Sequence, residues 1–375
     1  MLGGGRVGHA IVRDLAAEDD FSVVVVDVDP VAVDDLTEYG ADGIVADLSQ
    51  PDAVARAVGA TDADLVVGAV PGFMGYQTVE RVLEEGRPVV DISFFPEDAR
   101  GLEPLAKKAN VPCLVDCGIA PGFTNLVLGH MEAELDETRS FQAYVGGLPV
   151  ERTWPWDYKA PFSPGDVIEE YMRPARLRRE GQDFTLPALS ETELVNFPGL
   201  GTLEAFNTDG LRSLLHTSET PNMVEKTMRY PGHAERMRML REAGFFSSRE
   251  IQAASGTVRP RDVTEALLFS AWQFEEGEPD LTVMRIVVEG VKDGREVRHT
   301  FNLLDYYNPD TETSSMARTT GYTCTAMVRL VARGLWSEPG LATPEIVGGS
   351  EECYRSVREH LDARGVHIFE KIEEL

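Results

Sequence analysis

Short, almost wholly apolar runs alternate with helix-like stretches through the first third of the chain, and this alternation constrains the fold most. Residues 22–28 are nearly pure valine, too apolar for a half-exposed strand and too β-branched for a stable helix. Apolar runs about 20 residues apart with helices between them predict a parallel sheet with right-handed crossovers. The predicted strands are 22–28, 43–46, 63–70, 88–93 and 111–115, with helices at 9–18, 31–39, 53–58, 76–85 and 97–109. The predicted fold is α/β, a Rossmann-type doubly wound sheet over residues 1–118.

A glycine-rich turn near the start matches the pattern G-x-G-x-x-G. A predicted helix follows at once, so its exposed backbone N–H groups and its dipole can hold a pyrophosphate. In this assignment Gly3 makes the tight turn, Gly5 lets phosphate approach the backbone, and Gly8 lets helix and strand touch. Arg6 and Val7, between these glycines, are also expected to bind the cofactor. The alternative interpretation is a purely structural turn.

Asp27 ends the valine-rich run 19 residues after Gly8, where a carboxylate accepts hydrogen bonds from the adenosine ribose. No Lys or Arg follows until Arg56, so no nearby cation would neutralise a 2′-phosphate. NAD is therefore favoured over NADP as the cofactor. Ligands of parallel sheets lie beyond the carboxyl ends of the strands. The residues expected there are Asp47, Ala69, Val70, Pro71, Ser93, Asp116 and Gly118.

Only Met1 and Leu2 precede the glycine turn, whereas the central strand of this fold needs about five residues. The first strand therefore looks truncated. We expect that the natural chain starts a few residues upstream and that Met1 is a mis-assigned start.

Longer β-like segments follow, at 140–145, 281–288 and 295–303. The last two flank Lys292-Asp293-Gly294, which predicts a hairpin. We predict that residues 119–375 form a mixed-sheet α+β domain for substrate binding and dimerisation, with helices on one side of the sheet. A helix over 316–334 is expected to pack back on the Rossmann domain, and a helix over 350–364 precedes a short strand at 366–368.

Composition excludes several classes of protein. Thirty-five basic against 63 acidic residues give a net charge of −28, which excludes a general nucleic-acid binder. Apolar stretches such as 65–79 fall short of the roughly 18 residues that span a membrane. No basic region followed by an apolar core opens the chain, so a cytoplasmic protein is expected. Four cysteines without C-x-x-C or zinc-like spacing predict neither a disulfide framework nor a metal site.

Lysine is scarce, with six residues, although acid is in excess. Such a surface is typical of adaptation to high salt, where screening within about 3 Å at 1 M hides self-repulsion. Codon bias toward arginine is the equally weighted alternative.

Several stretches in chain order carry a family resemblance: Pro71–Gly75, Val90–Phe94, Asp116–Gly122, Tyr144–Pro149, Glu204–Ser213, Lys226–His233 and Met316–Gly321. Together they resemble the saccharopine dehydrogenase-like family and, within it, the L-lysine 6-dehydrogenases. The resemblance covers nearly the whole chain. It implies a two-domain architecture, a homodimer, and a small-molecule amino-acid substrate.

The amine chemistry of such a family sets requirements for the site. Hydride removal from an amine-bearing carbon needs a neutral amine, and deprotonating a lysine amine at pH 7 costs roughly 4.6 kcal/mol. The site therefore needs a proton acceptor, a cation for the substrate carboxylate and a base for imine hydrolysis. Activity should rise with pH above 7.

The resemblance points to candidates for these roles. Asp209 matches the family's substrate segment and is the first candidate acid/base, with an Asx-turn carboxylate as the alternative. Thr227 matches a substrate-contact position, with a buried strand hydroxyl as the alternative. His233 is a candidate proton shuttle, although a structural histidine is favoured. Candidates for binding a carboxylate are Arg212, Lys226 and Arg229, each with an ordinary ion pair as the alternative.

Lys159 and Phe162 lie in the family's aromatic loop and are expected near the substrate. The family often carries tryptophan about where Phe162 stands, so this position departs from the pattern.

The resulting hypothesis is an NAD-dependent enzyme that oxidises the terminal amine of L-lysine or a lysine-like amino acid. The nearest rival is saccharopine dehydrogenase or reductase (or carboxynorspermidine-type) activity, which demands a second cationic pocket. A rival of another class is a non-catalytic NAD-sensing module. The more than 200 residues after Gly118 argue against that class.

Overall fold

The computed structural model describes residues 1–160, 164–254 and 256–375. Contacts divide the chain into unit 1, Met1–Leu135 with Ala317–His367, and unit 2, Asp136–Met316 with Ile368–Leu375. The predicted second domain began at residue 119, whereas the contacts group residues 119–135 and 317–367 with the first part of the chain.

The helices and strands take the following bounds. The helices are α1 Arg6–Ala16, α2 Pro30–Thr37, α3 Ala53–Thr61, α4 Gly72–Glu84, α5 Glu103–Ala109, α6 Phe123–Glu134, α7 Pro164–Met172, α8 Leu214–Thr217, α9 His233–Glu242, α10 Pro260–Trp272, α11 Ser315–Ala332, α12 Pro344–Gly348 and α13 Glu351–Ala363, with a 3-10 turn at Ala99–Leu102. The strands are β1 Val24–Asp27, β2 Asp42–Val45, β3 Val66–Gly68, β4 Val89–Asp91, β5 Pro112–Leu114, β6 Glu137–Pro149, β7 Ala175–Arg179, β8 Gln182–Leu186, β9 Glu193–Phe197, β10 Gly201–Asn207, β11 Met223–Arg229, β12 Ile251–Ala253, β13 Gly256–Val258, β14 Asp280–Lys292, β15 Arg295–Tyr306, β16 Gly340–Ala342 and β17 Ile368–Glu374.

Unit 1 is built on a parallel sheet. β2 pairs with β1, and β3, β4, β5 and β16 pair in that order. Leu2 bridges these two groups because it forms parallel bridges to Val26 and to Gly68. Met1–Gly3 thus lie where the first strand of a Rossmann sheet belongs, with ladder hydrogen bonds on both sides. The residues expected upstream of Met1 stay a prediction.

Helices cover this sheet through apolar faces. Val79, Val82 and Leu83 of α4 are buried with Val58 of α3 and Val89 in one core cluster. α11 lies against α1, since a Cβ on Gly321 would stand 3.3 Å from the Cβ of Ala10. The predicted Rossmann-type fold is confirmed.

Unit 2 is built on a mixed sheet with the strand order β17-β15-β14-β6-β11-β10-β9, and β7 joins β11 to β8. Among the described strands of this second sheet, β6 and β11 pair in parallel and the other neighbours pair antiparallel. Helices α7, α9 and α10 pack on one face of β10 through a cluster that includes Phe206, Met237 and Trp272. The predicted mixed sheet is confirmed, and the predicted hairpin forms where Lys292 pairs with Arg295.

Within the described residues, no helix combines the length and the apolarity that crossing a membrane requires.

Candidate active site

The glycine turn of unit 1 has the geometry of a phosphate cradle. Gly3 has φ +100°, and a Cβ there would lie 2.5 Å from the carbonyl oxygen of Ala69. A Cβ on Gly8 would lie 2.2 Å from the carbonyl oxygen of Gly3, so only glycine lets α1 approach the turn this closely. Gly5 differs, because a Cβ there would meet no atom within 4 Å. The backbone at Gly5 is therefore open to a ligand, and its place at the N-terminus of α1 favours an anion such as a diphosphate. Arg6 and Val7 form the first turn of α1, which begins three residues before the predicted helix over 9–18.

Asp27 lies beside this turn. Its Oδ2 accepts a 2.6 Å hydrogen bond from the Gly4 N–H, and its Oδ1 accepts one of 2.9 Å from the Asp29 N–H. A carboxylate offers about four acceptor positions, so ribose hydroxyls can still bind. Asp27 has no ion pair within the described residues. These residues fit a dinucleotide, which would supply a nicotinamide ring as hydride acceptor or donor.

The other predicted cofactor residues follow the carboxyl ends of the strands of unit 1. Ala69, Val70 and Pro71 follow β3, and Ser93 follows β4 and donates to Asp91. Asp47 follows β2 but is exposed, and its carboxylate accepts from Ser49 and Gln50. Those hydrogen bonds lower its pKa, Ser49 contributing most. Asp116 and Gly118 follow β5 and are buried.

Two of the predicted substrate residues, Lys226 and Thr227, lie on opposite faces of the sheet at β11. Successive side chains of a strand point to opposite faces of the sheet. Lys226 faces away from the helices of unit 2 and donates to Glu193 at 2.6 Å and to the Glu191 carbonyl. Thr227 faces the helices and contacts Thr208. The structure therefore does not bring Lys226 into one site with Thr227 and Arg229.

A hydrogen-bonded chain of three polar side chains lies on the helix-covered face. Thr208 Oγ1 is 2.6 Å from Glu225 Oε2 and 2.8 Å from Thr227 Oγ1. Glu225 is 7% exposed, and burial raises the pKa of its carboxyl to about 8. Gly210 makes room for it, since a Cβ there would lie 2.4 Å from the Glu225 carboxyl carbon.

Asp209 lies next to this chain but is held in an ion pair. Arg176 donates to both carboxylate oxygens, Nε at 2.8 Å and Nη2 at 2.9 Å, and its backbone N–H adds a third bond. The guanidinium thus engages both oxygens of the carboxylate in a bidentate pair. This contact does not favour the predicted acid/base role of Asp209, because a substrate amine would have to displace the guanidinium from those oxygens.

Arg229 and His233 lie in an aromatic cluster on the same face. Arg229 is 3% exposed, donates to Glu170 at 3.0 Å and stacks 4.6 Å over the Tyr158 ring. His233 is fully buried and shares a 2.8 Å hydrogen bond with Tyr171. Burial, with Arg229 adding to it, lowers the pKa of His233 well below its usual value. His233 is thus a neutral structural residue, and a proton shuttle near neutral pH is not supported.

The remaining predicted residues have separate surroundings. Lys159 pairs with Glu278 and lies 5.8 Å over the Phe274 ring. Arg212 is half-buried with φ +46° in the turn after β10. Phe162 lies outside the described residues. No group of three or more His, Cys, Asp or Glu side chains among those described is arranged to hold a metal ion.

The sequence prediction missed two residues. Glu225, Thr227 and Arg229 occupy every second position of β11 and so lie on one face of the sheet. This spacing could have identified Glu225 from the sequence, once Thr227 and Arg229 were singled out. Phe73 lies inside the Pro71–Gly75 motif and is 76% exposed in the first turn of α4, at the carboxyl edge of the sheet. This exposure cannot be read from the sequence.

Comparisons with known proteins match nearly the whole chain. The family described as saccharopine dehydrogenase NADP binding domain matches residues 1–114, and the saccharopine dehydrogenase C-terminal domain matches residues 118–366. The chain is 24% identical to saccharopine dehydrogenase [NADP(+), L-glutamate-forming] of Saccharomyces cerevisiae, over 99% of this chain and 98% of that protein. It is also 24% identical to alpha-aminoadipic semialdehyde synthase of Arabidopsis thaliana, over 51% of this chain and 20% of that protein.

Solved structures share the fold. Apo saccharopine dehydrogenase (L-Glu forming) from Saccharomyces cerevisiae has a TM-score of 0.81 at 22% identity, covering 99% of this chain and 98% of that one. Homospermidine synthase from Legionella pneumophila in complex with NAD has a TM-score of 0.67 at 13% identity, covering 99% and 90%. With both of its domains matched in order along nearly its full length, the chain belongs to the saccharopine dehydrogenase family of oxidoreductases.

Proposed function

We propose that the protein oxidises the side-chain amine of L-lysine, or of a lysine-like amino acid, to the semialdehyde with release of ammonia, and that NAD accepts the hydride. Family membership supports an oxidoreductase with a nicotinamide dinucleotide. The substrate and the choice of NAD are supported by the charges around the two sites.

The observation that carries the choice of substrate is the pairing of the cations in unit 2. Lys159, Lys226 and Arg229 each have a carboxylate partner, namely Glu278, Glu193 and Glu170. Saccharopine carries three carboxylates and would need several of these cations free. Glu225, in contrast, is a buried acid with no ion pair within the described residues. This balance favours a substrate that brings a cation, such as a lysine side chain.

The choice of NAD is supported by Asp27. The 2′-phosphate of NADP would carry negative charge to the ribose position beside this carboxylate, and Asp29 follows two residues later. Repulsion between these charges weakens NADP binding. The matched family domain is described as NADP binding, so direct comparison of the two cofactors is part of the test.

The test is the formation of NADH or NADPH by the full chain with lysine, saccharopine, ornithine or carboxynorspermidine, at several pH values and at low and high salt. We expect lysine with NAD to give the highest kcat/KM, rising with pH above 7. Tight dinucleotide binding without turnover of any amine would contradict the proposal and favour an NAD-sensing module.

The second candidate is saccharopine dehydrogenase activity, favoured by the names of the relatives that cover nearly the whole chain. It predicts that saccharopine, not lysine, reduces the cofactor in the same assay.

We also propose a homodimer in the cytoplasm. A single peak of twice the chain mass in light scattering, unchanged on dilution, is the expected result for the dimer.

A further inference from the structure

The cations near Glu225 are already bound to other acids. On one side, Arg229 of β11 donates to Glu170 of α7. On the other side, Arg176 of β7 holds Asp209 with two hydrogen bonds. Glu170 and Asp209 are therefore matched by guanidinium groups, whereas Glu225 lies between these pairs without a cation of its own.

One further feature favours a ligand at this place. Arg229 Nε, two residues along β11 on the same face as Thr227, is buried without a hydrogen-bond acceptor within the described residues. A buried donor with no partner is costly, and a ligand oxygen or a bound water would satisfy it.

The chain from Glu225 through Thr208 to Thr227 has the geometry of a proton path. Each hydroxyl can give its own proton to one neighbour while it receives a proton from the other. The two oxygen–oxygen distances, 2.6 Å and 2.8 Å, are those of direct hydrogen bonds.

Resting on the function proposed above, we propose that Glu225 is the proton acceptor for the substrate amine and that the proton reaches it through the hydroxyls of Thr227 and Thr208. The substrate ammonium loses one N–H bond, and the Glu225 carboxylate gains one O–H bond. The neutral amine can then lose a hydride from its carbon to the nicotinamide, which leaves an iminium ion and the reduced cofactor. Water converts the iminium to the aldehyde and ammonium.

The surroundings favour this transfer. In a buried site a neutral carboxylic acid beside a neutral amine avoids the desolvation that a charged pair incurs. The nearby carboxylates Glu170 and Asp209 raise the pKa of Glu225 further, after burial itself, while Thr208 and the Gly210 N–H lower it. With a pKa of about 8 in the free protein, the acceptor form grows as pH rises through 8.

The kinetic test uses Glu225→Gln in the full chain. We expect kcat to fall about 100-fold or more, since general acid–base groups contribute that much. The fall of wild-type kcat/KM below about pH 8 should flatten in the variant. Glu193→Gln, on the opposite face of the sheet, is the matched control and should keep the wild-type profile. Thr208→Val should lose activity as well, and Thr208→Ser, which keeps the hydroxyl, should restore it.

A spectroscopic arm does not depend on turnover. Infrared difference spectra of wild type and Glu225→Gln are compared at pH 9 in the presence of NADH. Added lysine should produce a protonated-carboxyl band that only wild type shows. Norleucine, which lacks the side-chain amine, should not produce it. If this band responds to lysine but no amine reduces NAD, the proposed function is contradicted, while proton transfer from a bound amine to Glu225 is supported. If wild type oxidises lysine while Glu225→Gln keeps its rate within threefold and its pH profile, Glu225 is not the acceptor.

Discussion

At the scale of single residues, the glycines of the first turn are needed for different reasons. Gly3 and Gly8 are required by the protein itself, because a Cβ at either position would overlap a backbone oxygen. Gly5 has φ −63° and open space around it, so an alanine is compatible with the fold of the free protein. What the sequence pattern treats as one motif is thus two structural positions and one position left open to a ligand.

This difference predicts opposite outcomes for two substitutions. Gly5→Ala should weaken NADH binding at least tenfold, because the added methyl occupies the space that a diphosphate needs, while Tm changes by no more than about 3 °C. Gly8→Ala should lower both Tm and affinity, although alanine is the better helix former. Fluorescence titration and thermal unfolding measure the two effects. NADH binding by Gly5→Ala that equals wild type would show that no phosphate lies there.

Asp27 carries a second prediction at this scale. Asp27→Asn removes the charge that opposes a 2′-phosphate and keeps one acceptor oxygen, which serves one of its two backbone partners. The ratio of kcat/KM with NAD to kcat/KM with NADP should fall about tenfold or more. Asp29→Asn is the matched control, since it removes a neighbouring charge that caps α2 without contacting Gly4. An equal fall in both variants would mean that the general field, not Asp27, selects the cofactor.

At the scale of elements, the periodicity of the sequence predicts whether a segment is a strand or a helix. The neighbouring strands and helices decide which groups its side chains contact. The valine-rich runs specify the parallel strands of unit 1 because burial on both faces requires continuous apolar sequence. The same reasoning fails for Lys226 and Thr227, which are adjacent in a motif but lie on opposite faces of β11. Asp209 looked available because its partner, Arg176, lies 33 residues earlier. Which residues form ion pairs across such a sequence separation depends on the order of the strands in the sheet, and a local motif gives no information about that order.

Helix α1, which carries the proposed phosphate site, is tied to α11 and to the end of α13 by charge. Arg329 of α11 is 4% exposed and donates to Asp14 at 2.9 Å and to Glu18 at 2.7 Å. Arg364, after α13, donates to the same two acids. Removing one member of a buried network leaves the other charges without compensation, which makes it costly.

Arg329→Ala should therefore destabilise unit 1 by about 3–5 kcal/mol. Arg333→Ala, one turn further along, should cost no more than about 1 kcal/mol, because Arg333 is half-exposed and its ion pair with Glu18 is long, at 3.4 Å. Chemical denaturation of the two variants gives the comparison. Similar costs for both would show that the network does not hold α1 more firmly than a surface ion pair does.

At the scale of the whole molecule, the dominant feature is the net charge of −28 with only six lysines. Like charges at this density oppose the compact state, and salt screens them. The Debye length is about 10 Å at 0.1 M and about 3 Å at 1 M, so screening is nearly complete at 1 M. Further stabilisation above that concentration is not explained by screening and is expected of a surface that binds hydrated ions.

We expect Tm to rise with KCl from 0.1 M to 1 M and to continue rising to 3 M. Asp19→Lys/Asp20→Lys, at two exposed positions after α1, reduces the net charge to −24. This variant should be the more stable protein at 0.1 M KCl, because it has less self-repulsion, and should gain less from added salt. Thermal unfolding of both chains across the KCl series separates the explanations. A wild-type Tm that levels off by 1 M would assign the acidic surface to screening alone, with arginine enrichment from codon bias and no adaptation to high salt.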